Sequence, residues 1–132
     1  MSLTDEERRA IVEYRIEKAR VAVEDVEQVS GLKRWSAAAN RMYYALYYAA
    51  TALLIANGYV CRTHTGMITL LHKHFVLRGV LTKAEGRLVG KVFDIRQEAD
   101  YDDFIDADEN LIQEYFPQVK ALVEKMISLI EF

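Results

Sequence analysis

Apolar positions recur at helical spacing along almost the whole chain of 132 residues. In the first segment Val12, Ile16, Ala19, Val23 and Val26 alternate spacings of four and three, which lays one stripe along a helix of about 25 residues. Thr4 and Glu7 form a capping box that opens it, and Ser30 with Gly31 stops it. Leu32 to Arg34 lead into a second helix that is apolar nearly all the way round, a pattern that belongs at the centre of a bundle. Its apolar part, Met42 to Ala56, is fifteen residues long with four tyrosines, too short for bilayer hydrocarbon. Asn57 and Gly58 give a C-terminal cap signal. After Tyr59 to Thr63, a shorter third helix carries Met67, Ile68, Leu71, Phe75 and Leu77 on its apolar face and ends at Gly79. Thr82 and Glu85 form a second capping box, opening a fourth helix with Leu88, Val92, Ile95 and Ala99 on one face. The acidic stretch Asp102 to Asp106 breaks the pattern. Asp106 or Asp108 caps a fifth helix, which Pro117 is expected to kink or split near Tyr115 by removing an amide donor.

No segment alternates with period two, so the fold class is all-α, an antiparallel up-and-down helical bundle of about five helices. One domain over residues 1–132 is expected, with no repeat, linker or low-complexity tract. The chain is 52% apolar with one Pro and six Gly, which excludes collagen-like and disordered classes. Cys61 is alone, which excludes a disulfide scaffold. The polar, acidic stretch Met1 to Arg9 has no apolar run of the signal-peptide kind, so a cytoplasmic location with no membrane association is expected.

The formal net charge of -3 hides a segregation. From Gln28 to Ala84 there is no Asp or Glu, while Lys33, Arg34, Arg41, Arg62, Lys73, Arg78 and Lys83 place seven positive charges in fifty-seven residues. From Glu85 to Glu114 the sign reverses, with ten acidic residues against Arg87, Lys91 and Arg96. Such blocks are either solvated faces or a two-sided surface that docks a partner or guides a charged ligand.

Candidate chemistry is sparse. His64, His72 and His74 cluster, but His72 and His74 project about 200° apart on a helix and no carboxylate lies nearby, so neither a metal site nor a cofactor is expected. Cys61 has Arg62 and His64 close in sequence, neighbours that could lower a thiol pKa, although a lone loop cysteine usually only packs. Nucleophile-elbow, P-loop and dinucleotide-binding glycine patterns are all missing. Arg96 borders the apolar face of the fourth helix, and a cation there needs a carboxylate or an anionic ligand. Asp100, one turn on, can supply the carboxylate. The second helix offers Asn40, Arg41, Tyr43, Tyr44, Tyr47 and Tyr48, with Tyr43 and Tyr47 one turn apart, as are Tyr44 and Tyr48. Most of these are read as core aromatics with the hydroxyl at the rim.

The run Arg41-Met-Tyr-Tyr-Ala-Leu-Tyr-Tyr-Ala-Ala-Thr-Ala-Leu-Leu, then Gly58, then Arg62-Thr-His-Thr-Gly, then Arg96-Gln-Glu-Ala-Asp-Tyr101 resembles the HEPN domain family, in particular its small stand-alone prokaryotic members. The resemblance covers Ile11 to the C-terminus. It implies an antiparallel helical bundle, a homodimer, and pairing with a minimal nucleotidyltransferase as toxin and antitoxin. Many members are metal-independent ribonucleases in which an Arg, its polar neighbour and a His about five residues on line a cleft between two protomers. Carried over, Arg96 matches the motif Arg and Gln97 the polar neighbour, while Tyr101 stands where the His would be. A phenol of ordinary pKa near 10 is a poor base at neutral pH, whereas an imidazole near 6.5 suits activation of a 2′-hydroxyl.

Two readings follow. In the first the chain is a HEPN-like binding module with a nucleotide or RNA near Arg96, Gln97, Asp100, Arg41 and Tyr44. In the second it is a metal-independent endoribonuclease toxin using Arg96 with Tyr101 or His64 as catalytic residues. His64 can replace the missing base only if the start of the third helix approaches Arg96. A purely structural adaptor, without a small ligand, is a third and weaker reading.

Overall fold

The computed structural model describes residues 3–101, the last of these by its backbone alone, and 107–131. Five helices follow one another: α1 (Asp5–Gly31), α2 (Trp35–Ala56), α3 (His64–Leu71), α4 (Lys83–Tyr101) and α5 (Glu109–Ser128). No strand occurs among the described residues. The protein is an all-α helical bundle.

The local rules place the helix starts. Thr4 Oγ1 accepts from the Glu7 amide at 3.1 Å while the Glu7 carboxylate accepts from the Thr4 amide at 3.0 Å. Thr82 and Glu85 repeat the arrangement at the start of α4, at 3.0 and 2.8 Å. Each such cap satisfies amide donors that the helix itself leaves open, contributing about 1 kcal/mol. Of the two candidate caps for the last helix, Asp108 does the work, accepting from the Leu111 amide at 2.9 Å. Asp106 and the rest of the acidic run 102–106 lie outside the described residues. The turn between α1 and α2 differs from the sequence reading in one respect. Gly31 ends α1 in helical conformation, and it is Lys33, with φ 58°, that takes the left-handed step.

The apolar helix α2 is the central one, packed against α1, α3, α4 and α5. Its small residues Ala38, Ala39, Ala45, Ala49 and Ala50 are fully buried, as are Ala19 on α1 and, within one per cent, Ala22. Small side chains let helix axes approach closely, and the contact between α1 and α2 is the most extensive in the molecule. One hydrophobic cluster draws on all five helices, with Met42, Leu46, Leu53, Met67, Val89, Val92, Val123 and Met126 at its heart.

One expectation is corrected and another is narrowed. α3 does not run on as a regular helix to Gly79: it passes at His72–Val76 into a π-helical turn, in which the Leu77 amide bonds the His72 carbonyl five residues back. The wider turn shifts the helical phase, so Phe75 and Val76 face the core while Leu77, expected there, is 70% exposed. Pro117 lies inside α5 without splitting it, since the helix is continuous from Glu109 to Ser128. Beside the proline the Gln118 side-chain amide donates to the Glu114 carbonyl at 2.9 Å. Among the described residues no helix is long and apolar enough to cross a membrane.

Candidate functional site

The polar residues that the sequence singles out on α2 and α4 meet where these helices pack beside the start of α3. Arg96 sits on α4 next to the buried Ile95, so its guanidinium lies against α2 with the side chain only 12% exposed. Its Nε forms an ion pair with Asp100 Oδ2 at 2.8 Å. From α2, Asn40 donates to the same carboxylate oxygen at 3.1 Å, and the Tyr44 hydroxyl accepts from Arg96 Nη2 at 3.3 Å. The guanidinium carbon is 5.4 Å from the Tyr44 ring centroid and 5.8 Å from that of Tyr43. Arg41 on α2 joins the cluster: its guanidinium donates to Asn40 Oδ1 at 2.8 and 3.1 Å and lies 5.0 Å from the Tyr44 ring. Two cations thus lie against one tyrosine ring, held there by an amide and a carboxylate.

His64 reaches this cluster. Thr63 caps α3, accepting from the Gly66 amide at 2.9 Å, so His64 is the first helical residue and its ring turns back onto α2. The ring lies 5.0 Å from that of Tyr47, 5.4 Å from Tyr43, 6.2 Å from Tyr44 and 5.9 Å from Phe93 on α4. Its Nδ1 is hydrogen-bonded to the Tyr43 hydroxyl at 2.5 Å. Burial, and after it the Arg96 charge, hold the His64 imidazole below its ordinary pKa, which favours the neutral ring at pH 7. Burial pushes the Tyr43 phenol well up from its ordinary value, and the neighbouring Tyr47 and Tyr44 push the same way, so it stays protonated.

Of the candidate site residues, Arg96, Asp100, Arg41, Tyr44 and His64 are therefore brought together. Gln97 is exposed on the next position of α4. The side chain of Tyr101 lies outside the described residues. The neighbours of Cys61 do not act as its sequence context suggested: burial pushes the thiol up, outweighing the opposing influence of Arg15. His74 stacks on Tyr59 with centroids 3.8 Å apart, away from this cluster's partners. Among the described residues no group of three or more His, Cys, Asp or Glu side chains is arranged to hold a metal ion.

Sequence reasoning missed three contributors. Tyr43 is a core aromatic, as the sequence suggests, and is also the hydrogen-bond partner of His64, twenty-one residues away. Phe93 walls the histidine from α4. Arg15 on α1 donates to Thr51 at 2.9 Å and lies 5.9 Å from the Tyr47 ring, adding a third cation to the tyrosine-rich helix. The only sequence signal for Arg15 is a cation one residue before Ile16 on the apolar stripe, as Arg96 is a cation one residue after Ile95.

Comparison with known proteins agrees with this architecture. A Thermotoga maritima protein named "UPF0332 protein" is 29% identical over 125 residues, 95% of this chain and 95% of its own length. An Archaeoglobus fulgidus protein of the same name is 27% identical over 114 residues, 86% of this chain and 90% of its own. A Methanocaldococcus jannaschii protein named "Putative toxin MJ0605" is 33% identical over 69 residues, 52% of either chain. The profile of the HEPN domain matches residues 12–130, nearly the whole bundle and all of the cluster around Arg96, and the chain belongs to the HEPN domain family.

Proposed function

We propose that the chain works as a single HEPN domain over residues 1–132, the HEPN half of a toxin-antitoxin type pair, acting in the cytoplasm as a homodimer with a nucleotidyltransferase-type protein as partner. RNA or a nucleotide binds at the cluster around Arg96. The observation that carries this reading is the position of Arg96: a nearly buried guanidinium, tethered by Asp100 and Tyr44, beside a second cation and a neutral imidazole. Cations fixed against aromatic rings suit a phosphate with an attached base, which stacks on aromatic faces. The names of two Methanocaldococcus jannaschii relatives carry the word toxin, which fits the pairing.

Filter binding of the purified chain to single-stranded RNA and to mononucleotides, with Arg96→Ala as control, tests the ligand. Binding that is equal in both proteins removes Arg96 from the site. Co-purification with the nucleotidyltransferase-type partner and light scattering test the assembly. The endoribonuclease reading, with Arg96 and either Tyr101 or His64, predicts RNA cleavage in metal-free buffer that Arg96→Ala abolishes. The adaptor reading predicts that Arg96→Ala alters stability alone.

A further inference from the structure

We propose that Tyr43 holds His64 as its neutral Nε2–H tautomer, so that the imidazole offers a hydrogen-bond donor beside the Arg96 guanidinium and the two grip a phosphate group without cleaving its ester. This rests on the reading that RNA or a nucleotide binds at Arg96, and it assigns the ligand chemistry and the role of His64 within it.

A buried hydrogen decides the tautomer. Tyr43 is fully buried, and its hydroxyl carries a hydrogen that needs an acceptor. Among the described residues the partner of that hydroxyl is His64 Nδ1. If Nδ1 carried the proton and donated to the phenol oxygen, the hydroxyl hydrogen would be orphaned in the core. If the hydroxyl donates to Nδ1, both groups are satisfied and the ring proton sits on Nε2. The phenol is also held in its protonated form by burial, which keeps it a donor.

The other nitrogen is the one available to a ligand. Among the described residues Nε2 has no hydrogen-bond partner and is not one of the buried polar atoms that lack one, which leaves it open to a ligand. The ring is fixed by Tyr47 and Phe93 on its sides and by the Thr63 cap at its backbone. An imidazole with Nδ1 engaged and Nε2 protonated has no lone pair with which to take a proton from a 2′-hydroxyl. Its Nε2–H, like the Arg96 guanidinium, can only donate. Two donors of this kind, one charged and one neutral, match the acceptor oxygens of a phosphate. His64 is thus a binding residue, and Tyr43 is a positioning residue that acts through it.

The tautomer is read directly from long-range proton–nitrogen spectra of the nitrogen-15-labelled chain. His64→Gln assigns the signals among the three histidines. The expected result is a protonated Nε2 and an unprotonated, hydrogen-bonded Nδ1, with Tyr43→Phe relaxing the ring to a tautomer mixture. Titrations with a single-stranded RNA oligomer, adenosine monophosphate and inorganic phosphate supply the second arm and separate an RNA phosphodiester from a free phosphate ester. His64→Gln keeps a donor near Nε2 and is expected to bind within a few-fold of wild type, whereas His64→Ala loses about tenfold, the scale of one hydrogen bond to a charged group. RNA should remain intact throughout. A protonated Nδ1 with intact RNA binding overturns this inference and leaves the proposed function standing. Cleavage that His64→Gln abolishes overturns it too, in favour of His64 as base. Absence of any RNA or nucleotide binding overturns the proposed function, and this inference with it.

Discussion

Asp100 holds Arg96 from one turn further along the same helix, 2.8 Å between Oδ2 and Nε, and the same oxygen is held from α2 by Asn40. The carboxylate therefore does two things: it neutralises a cation that is 12% exposed, and it ties α4 to α2. These roles separate on mutation. Asp100→Asn should lower stability by about 1–2 kcal/mol, because a largely buried cation loses its counter-charge while retaining the Tyr44 contact. The same change removes a negative charge from beside the ligand and should strengthen RNA binding at low salt, with the difference shrinking as salt is added. Urea unfolding and filter binding at two ionic strengths check the pair of effects. Loss of both stability and affinity would mean that Asp100 shapes the site and does not merely balance its charge.

The imidazole of His64 gives the fold a pH dependence of definite sign. Its pKa is lowered in the folded chain by burial and by Arg96, and that of His74 is lowered by burial and by Arg78 and Lys73. Between the folded and unfolded values the unfolded chain binds more protons, so stability rises with pH across that window. The contribution is fully present above the unfolded value of about 6.5 and is lost as pH falls toward the lower folded value. The urea midpoint of the wild type should therefore fall between about pH 7.5 and pH 5, where histidine is the side chain that titrates. His64→Gln should show a smaller fall, and the double change with His74→Gln the smallest. A midpoint that is flat or rises on acidification would contradict the burial of these rings.

The features that were legible in the sequence are those set by neighbours within one helical turn. Thr4 with Glu7, and Thr82 with Glu85, announce helix starts because the hydrogen bonds that make them span only three residues. The Arg96 and Asp100 pair is legible for the same reason, as an i, i+4 contact. Leu77 was misplaced because a π-helical turn changes the phase without a distinctive residue to mark it. The bond between Tyr43 and His64 was not legible at all. It depends on how α3, with Met67 and Leu71 in the core, returns to α2 after the loop, and the two partners stand twenty-one residues apart. Hence the question the sequence left open, whether His64 approaches Arg96, needed three dimensions to answer.

Cys61 should behave as a packed, slow thiol. Burial pushes its pKa up from the ordinary cysteine value, and only the thiolate alkylates readily. Iodoacetamide at neutral pH should modify the folded chain much more slowly than the chain in urea, with a rate that rises as the pH is raised. Equal rates in the two states would place the thiol in open solvent, and a faster rate in the folded chain would mark an activated cysteine.

Two glycines on α4 should respond oppositely to the same substitution. A Cβ built on Gly86 would lie 2.8 Å from Val76 Cγ2 and 3.6 Å from its Cγ1, and Val76 belongs to the buried part of the π-helical turn. Valine has no flexible end that could swing away, so either the turn or the helix must shift. A Cβ on Gly90 would meet nothing within 4 Å, in the interior of the same helix. There alanine reduces the freedom of the unfolded chain without a clash, and Gly90→Ala should stabilise by about 0.5–1 kcal/mol. Gly86→Ala gains part of the same helix propensity but meets the overpacked contact, for a net loss of about 1–2 kcal/mol. Thermal unfolding of the two variants beside wild type distinguishes these outcomes. Because the Gly86 contact holds the π-helical turn against α4 while the His64 ring packs on Phe93 of the same helix, the loss should spread along α3: faster amide exchange from Met67 to Val76 is expected in Gly86→Ala and not in Gly90→Ala.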